Sequence, residues 1–172
     1  MTVPPAEPVV GIHRARLDPA ADRGVPAHVT ILYPFVAPDR IDDAVLRALR
    51  RAVATVDPFE ASWVRTDWFE QGVLWLAPEP AEPFRRLTVA VVREFPDHPP
   101  FGGVHPKIIP HLTVGNGAPL EQMKDAERAI RPFLPFRMRV THVQLLTGAQ
   151  ADGSWRMLAE IPLGVAANQE PT

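Results

Sequence analysis

Proline sets the grain of this chain: 21 of its 172 residues are proline, so few elements can run long before one stops them. A proline fixes φ and removes a backbone donor, and so belongs in first helical turns, strand ends and loops. Between these marks the first half predicts a helix over residues 9–17, ending near Asp18-Pro19. A β-rich run then leads from His28 through Val29, Thr30 and Ile31 to Phe35, entered past Pro26 and closed by Pro34. An amphipathic helix is expected over residues 39–56. Ile41, Val45, Leu49 and Val53 form one stripe, Arg47, Arg50 and Arg51 lie off it, and Asp39 is the expected N-cap. Strands follow at about 59–66 and 73–77, with Gln71-Gly72 as their turn.

The second half predicts a helix over 82–95, a Pro- and Gly-rich loop over 96–106, and a strand over 108–114 stopped by Gly115-Asn116-Gly117. A helix over 120–130 follows, with Pro119 near its first turn. The last two strands are expected at 136–146 and 155–161, joined by a turn at Asp152-Gly153, with a frayed tail beyond Leu163. The halves repeat one order of elements: a short strand carrying His-x-Thr, then a helix, then a strand pair. Outside the His-x-Thr runs the repeat is one of pattern only.

Composition narrows the function classes. An apolar fraction of 46% and a charged fraction of 22% fit one globular domain with a full core. The formal charge of −2 excludes a generally basic nucleic-acid binder, so any such contact has to be local, through a cleft. With no cysteine there is no disulfide, thiolate catalysis or Cys-based zinc site, which fits a reducing cytoplasm. No stretch reaches the roughly 18 apolar residues of a membrane span. The start, Met1 to Pro5, lacks the basic and apolar regions of a signal peptide. A cytoplasmic protein without membrane contact is expected, and a monomer, since no sustained heptad or large apolar helix face calls for a partner.

The chemistry sits in His28-Val29-Thr30-Ile31 and His111-Leu112-Thr113-Val114. Side chains two apart on a strand share a face, so each run turns His and Thr one way and its apolar pair the other, into a core. Cleaving a phosphodiester needs a base for the attacking oxygen and an acid for the leaving oxygen, roughly in line across phosphorus. Histidine, with an unperturbed pKa of about 6.5, supplies both forms near neutrality. The threonine hydroxyls can donate to the non-bridging oxygens. One His-x-Thr among six histidines is a weak signal, but two copies in short apolar runs, each closely preceded by proline, are hard to obtain by chance. The plain alternative is a pair of satisfied strand-end histidines.

The segments from His28 to Phe35 and from Pro110 to Gly115 resemble the paired signatures of the 2H phosphoesterase superfamily, which includes the bacterial 2′-5′ RNA ligase-like proteins. Arg16-Leu-Asp-Pro19, Gly24-Val-Pro-Ala27 and Pro99-Pro-Phe-Gly-Gly103 strengthen the likeness, which spans about residues 9–161. It implies a single bilobal α+β domain over 1–172, with two pseudo-symmetric antiparallel sheets flanked by helices around a central cleft. Lobe one would include about 9–77 and lobe two about 108–161, with strands exchanged between them. It implies hydrolysis of cyclic phosphates or 2′-5′ phosphodiesters of RNA ends or small nucleotides, or the reverse ligation, without metal or cofactor. His28 and His111 become the acid/base pair, and Thr30 and Thr113 the phosphate-binding hydroxyls. The family pattern begins with a longer hydrophobic strand than Met1 to Pro5 offers, so that strand is expected to be short or missing.

Other residues carry weaker signals. Phe101 is a candidate for stacking on a base, and Lys107 or the Arg137/Arg139 pair for phosphate contact. Trp63, Trp68, Phe69 and Trp75 read as core. His13 and His142 read as surface or strand-end residues. Two rival functions remain: a non-catalytic binder of RNA ends or phosphorylated metabolites, and a zinc hydrolase built on His98, His105 and His111. The two-histidine enzyme predicts a bell-shaped pH profile with both limbs near neutrality.

Overall fold

The computed structural model describes residues 1–105, 107–148 and 155–164. A 3₁₀ turn over Pro4–Ala6 leads into α1 (Glu7–Leu17), which keeps a proline in its first turn and buries Val10, Arg14 and Leu17. Asp18 ends α1 and caps the single turn of α2 (Pro19–Asp22) by accepting from the Ala20 N–H. The next helix, α3 (Asp43–Val53), is shorter than its periodicity predicts. Pro38–Arg40 makes a separate 3₁₀ turn, Ile41 is extended, and Asp42 rather than Asp39 is the N-cap, accepting from the Val45 N–H at 2.9 Å. Leu49 and Val53 of the predicted stripe are buried, together with Ala52, while Ile41 and Val45 are half-buried.

β1 (Phe59–Phe69) and β2 (Val73–Glu79) form a long hairpin, and α4 (Glu82–Glu94) follows. The loop after it folds into a 3₁₀ turn at Pro100–Gly103, and β3 (Leu112–Asn116) pairs with β2. β3 starts later than expected and runs through Gly115, because α1 and α5 (Leu120–Ile130) crowd that position. A Cβ on Gly115 would lie 3.1 Å from Leu17 Cβ and 3.2 Å from Met123 Sδ. The glycine serves close packing there, and the turn falls at Gly117, where φ is +71°.

The run expected as one strand over 136–146 is two. β4 (Phe136–Val140) joins β1, while β5 (His142–Thr147) pairs with β6 (Arg156–Pro162), with Thr141 between. The fold is thus α+β, as expected: a four-stranded antiparallel sheet in the order β3-β2-β1-β4, a two-stranded antiparallel sheet β5-β6, and flanking helices. The Asp152-Gly153 turn and the tail beyond Gly164 lie outside the described residues.

The core is continuous. Trp63 stacks on Phe136 at 5.3 Å between ring centres and meets Phe84 of α4 edge-on at 6.4 Å, a core residue as expected. β2 is the inner strand beside β3, and Leu74 through Pro78 are all buried. Among the described residues no regular first strand forms, but Thr2 makes an isolated bridge with His28, Val3 N–H donates to Ala27 O and Val29 N–H to Met1 O, so Met1 to Val3 lies alongside the first His-x-Thr run.

Candidate active site

The two His-x-Thr runs meet. Val29 and Leu112 form an antiparallel bridge, and both are wholly buried. The first run is held by isolated bridges rather than by a regular strand over its whole length, since bends lead from Ile31 into the cis Tyr33–Pro34 bond. His28 and Thr30 flank Val29, and His111 and Thr113 flank Leu112; all four are partly exposed. Alternation turns these four to the face opposite the buried pair. Antiparallel pairing sets His28 across from Thr113 and Thr30 across from His111. In a regular antiparallel ladder this register puts the two histidines on a diagonal, a spacing of about 7–8 Å at the backbone.

Each imidazole is oriented by its own segment. His28 Nδ1 lies 2.9 Å from Pro26 O and His111 Nδ1 2.8 Å from Ile109 O, the carbonyl two residues back in both cases. A carbonyl only accepts, so Nδ1 carries the hydrogen in each ring and donates it. That leaves both Nε2 atoms for chemistry, bare in the neutral ring and a donor when protonated.

α1 supports the first histidine. Arg14, buried with Asp18, donates to its carboxylate at 2.8 Å and to Val25 O at 3.2 Å, and the Glu7 carboxylate accepts from the Ala27 N–H at 2.6 Å. Residues 25–27 are therefore clamped just ahead of His28. Burial pushes the His28 pKa down to about 4, helped by the nearby Met1 ammonium, while the Pro26 hydrogen bond pulls the other way.

Aromatic side chains support the second histidine. Phe69 meets His111 edge-on at 4.9 Å and Trp75 does so at 5.9 Å, while Phe69 and Trp75 stack on each other at 4.8 Å. Burial lowers the His111 pKa, opposed by the hydrogen bond to Ile109 and reinforced by His105. Phe69 and Trp75 are the residues that sequence reasoning assigned to the core. The register Trp75↔Thr113, which sets that side chain on the face of the second motif, emerges only from strand pairing. α4 underlies both motifs: Thr88 donates to Ile31 O at 2.8 Å and Arg85 to Ile108 O at 3.2 Å.

The remaining candidates divide. Phe101 is 40% exposed, holds a left-handed φ of +52°, and donates its N–H to Tyr33 O at 2.6 Å, which ties its loop to the end of the first motif. Lys107 is exposed four residues before His111 and lies with arginines of α4. Arg139 pairs with Glu60 on the exposed edge of β4, away from both motifs. His98 packs on Phe35 and His105 on Phe101, and among the described residues no group of three His, Asp or Glu side chains comes together to hold a metal. The zinc site at residues 98, 105 and 111 is thus not assembled. His142 caps the start of β5, hydrogen-bonded to Thr141.

A two-sheet α+β fold in which matched His-x-Thr runs meet on one face defines the 2H phosphoesterase class. The family model of the 2′-5′ RNA ligase superfamily matches residues 3–152, and the chain belongs to that superfamily. Membership carries a phosphoesterase- or ligase-type activity in general. No curated protein matches the chain. Among the described residues, no helix is long and apolar enough to cross a membrane.

Proposed function

We propose that this protein is a metal-independent phosphodiesterase that opens a cyclic phosphate or a 2′-5′ phosphodiester of an RNA end or small nucleotide. The reading rests above all on the Val29–Leu112 bridge between the two runs and on the matching carbonyl tethers of the two imidazoles. In the reaction, one neutral Nε2 takes a proton from water as the water oxygen attacks phosphorus. The bond from phosphorus to the ribose oxygen breaks, and the other imidazolium gives its Nε2 proton to that oxygen. The stronger depression at His28 suits the base, and His111 the acid. Thr30 and Thr113 donate to the non-bridging oxygens, whose charge rearranges in the transition state. The Phe101 ring, on the rim tied to Tyr33, offers a face to a base.

The test is turnover of 2′,3′-cyclic and 2′-5′ linked substrates by wild type and by the His28→Ala and His111→Ala variants. Each variant should lose about 10²–10⁴-fold in kcat, and chelators should leave the wild type unchanged. Wild-type rates in either variant overturn the role given to that histidine. Tight binding of 3′-phosphate nucleotides without turnover would make the chain a binder instead.

A further inference from the structure

A groove of about 670 Å³ runs between α4 and residues 107–109, and Arg85, Arg86, Arg93 and Lys107 line it. The whole chain carries a formal charge of −2, so this concentration of cations is local. One carboxylate offsets it in the groove, Glu82, which pairs loosely with Arg85 at 3.7 Å. Among the described residues no carboxylate lies within ion-pair distance of Arg86, Arg93 or Lys107. The groove borders the segment that orients the second histidine: Ile109 lines it, and the Ile109 carbonyl accepts from the His111 Nδ1–H.

We propose that this groove is a track for a single-stranded RNA chain whose reacting phosphodiester lies at His28 and His111. The proposal rests on the function proposed above and extends it from the reacting phosphate to the chain that carries it. Arg85 and Arg93 are eight residues apart, about 12 Å along the helix. That length accommodates about three nucleotides at the ~3.4 Å rise of a stacked strand. Four cations match the phosphates of such a segment. Val89 and Ile109, 41% and 42% exposed on the groove, give apolar surface to sugars and bases.

The experiment measures fluorescence anisotropy of a 3′-phosphate-ended hexaribonucleotide and of the matching mononucleotide across a salt series. The proteins are wild type, Arg86→Gln/Arg93→Gln, and Lys107→Gln. The buried side of α4 is Phe84, Leu87, Thr88 and Val91, so the double change touches its outer face, and the single change covers the case in which it disturbs folding. The double variant should bind the hexamer about tenfold more weakly and flatten its log–log salt slope by about 1.4, with mononucleotide binding unchanged. An unaltered hexamer affinity, an equal loss with the mononucleotide, or competition by polyglutamate as effective as RNA overturns the track. If no phosphodiester is turned over but these shifts are found, the catalytic reading fails and the track stands.

Discussion

The Arg14–Asp18 pair is the point where stability and the first histidine are coupled. Both side chains are nearly excluded from water, and Arg14 donates to Asp18 twice, at 2.8 and 3.1 Å, and to Val25 O. An Arg14→Met change leaves the Asp18 carboxylate buried with only the Ala20 N–H, and frees a buried carbonyl. Breaking a buried pair from one side costs about 3–5 kcal/mol, because a charge is left without its partner. In a chain of this size each kcal/mol lowers Tm by about 2–4 °C, so a fall of roughly 10 °C is expected. Replacing both partners, as Arg14→Met/Asp18→Leu, removes the stranded charge and should cost only the α2 cap, about 1 kcal/mol, and the freed Val25 carbonyl, about 1–3 kcal/mol. Urea denaturation of the wild type, both single variants and the double variant closes the cycle. A single-variant cost below 1 kcal/mol, or a double variant as unstable as the sum of the singles, refutes the reasoning.

Three further outcomes are expected. His28 and His111 are both lowered from 6.5, His28 to about 4, so kcat/KM should have its acidic limb near pH 4 and its alkaline limb below 6.5. An optimum above pH 7 counts against these environments. Because the unfolded chain binds protons that the buried neutral rings refuse, the histidines' contribution to stability is whole above pH 6.5 and drains as pH falls toward 4, as denaturation at several pH values should show. Phe69→Ala admits water to His111 and should raise its NMR titration midpoint toward 6.5, while His28 stays put. Gly115→Val, forced against Leu17 and Met123, should destabilise by about 2 kcal/mol in the same urea assay, whereas the equivalent change at exposed Gly72, which has open space around it, should not act by overpacking.

The elements that depend on local chemistry were legible in the sequence. Proline placement and apolar spacing located α1, α4, α5 and the β1–β2 hairpin to within a few residues, because those signals act over one or two turns. The misses share a different cause. The expected cap, Asp39, gives way to Asp42 because the separate 3₁₀ turn at Pro38–Arg40 delays the start of the helix. Gly115 reads as a strand stop until two helices are seen to need the space of its missing side chain. Nothing in the run from Phe136 onward signals that Thr141 divides it between two sheets. At the site, spacing predicted that Val29 and Leu112 would turn into the core, and the two runs meet at that buried pair. Phe69 and Trp75 could not be found that way, since they reach His111 by cross-strand register.

The two histidines cannot be told apart by their own segments. Each ring donates Nδ1–H to the carbonyl two residues back, each is followed by a buried apolar residue and then a threonine, and each therefore presents Nε2 in the same sense. A symmetric device alone offers two bases or two acids, and a single displacement needs one of each. The difference has to come from what packs around it. Burial holds His28 far below the ordinary imidazole range, with the Met1 ammonium and then Arg14 adding to it, while His111 is lowered by burial beside two aromatic rings and by His105. On the proposed mechanism the unequal neighbours of an equal pair divide base from acid, and exchanging those neighbours, rather than the histidines, is expected to exchange the roles.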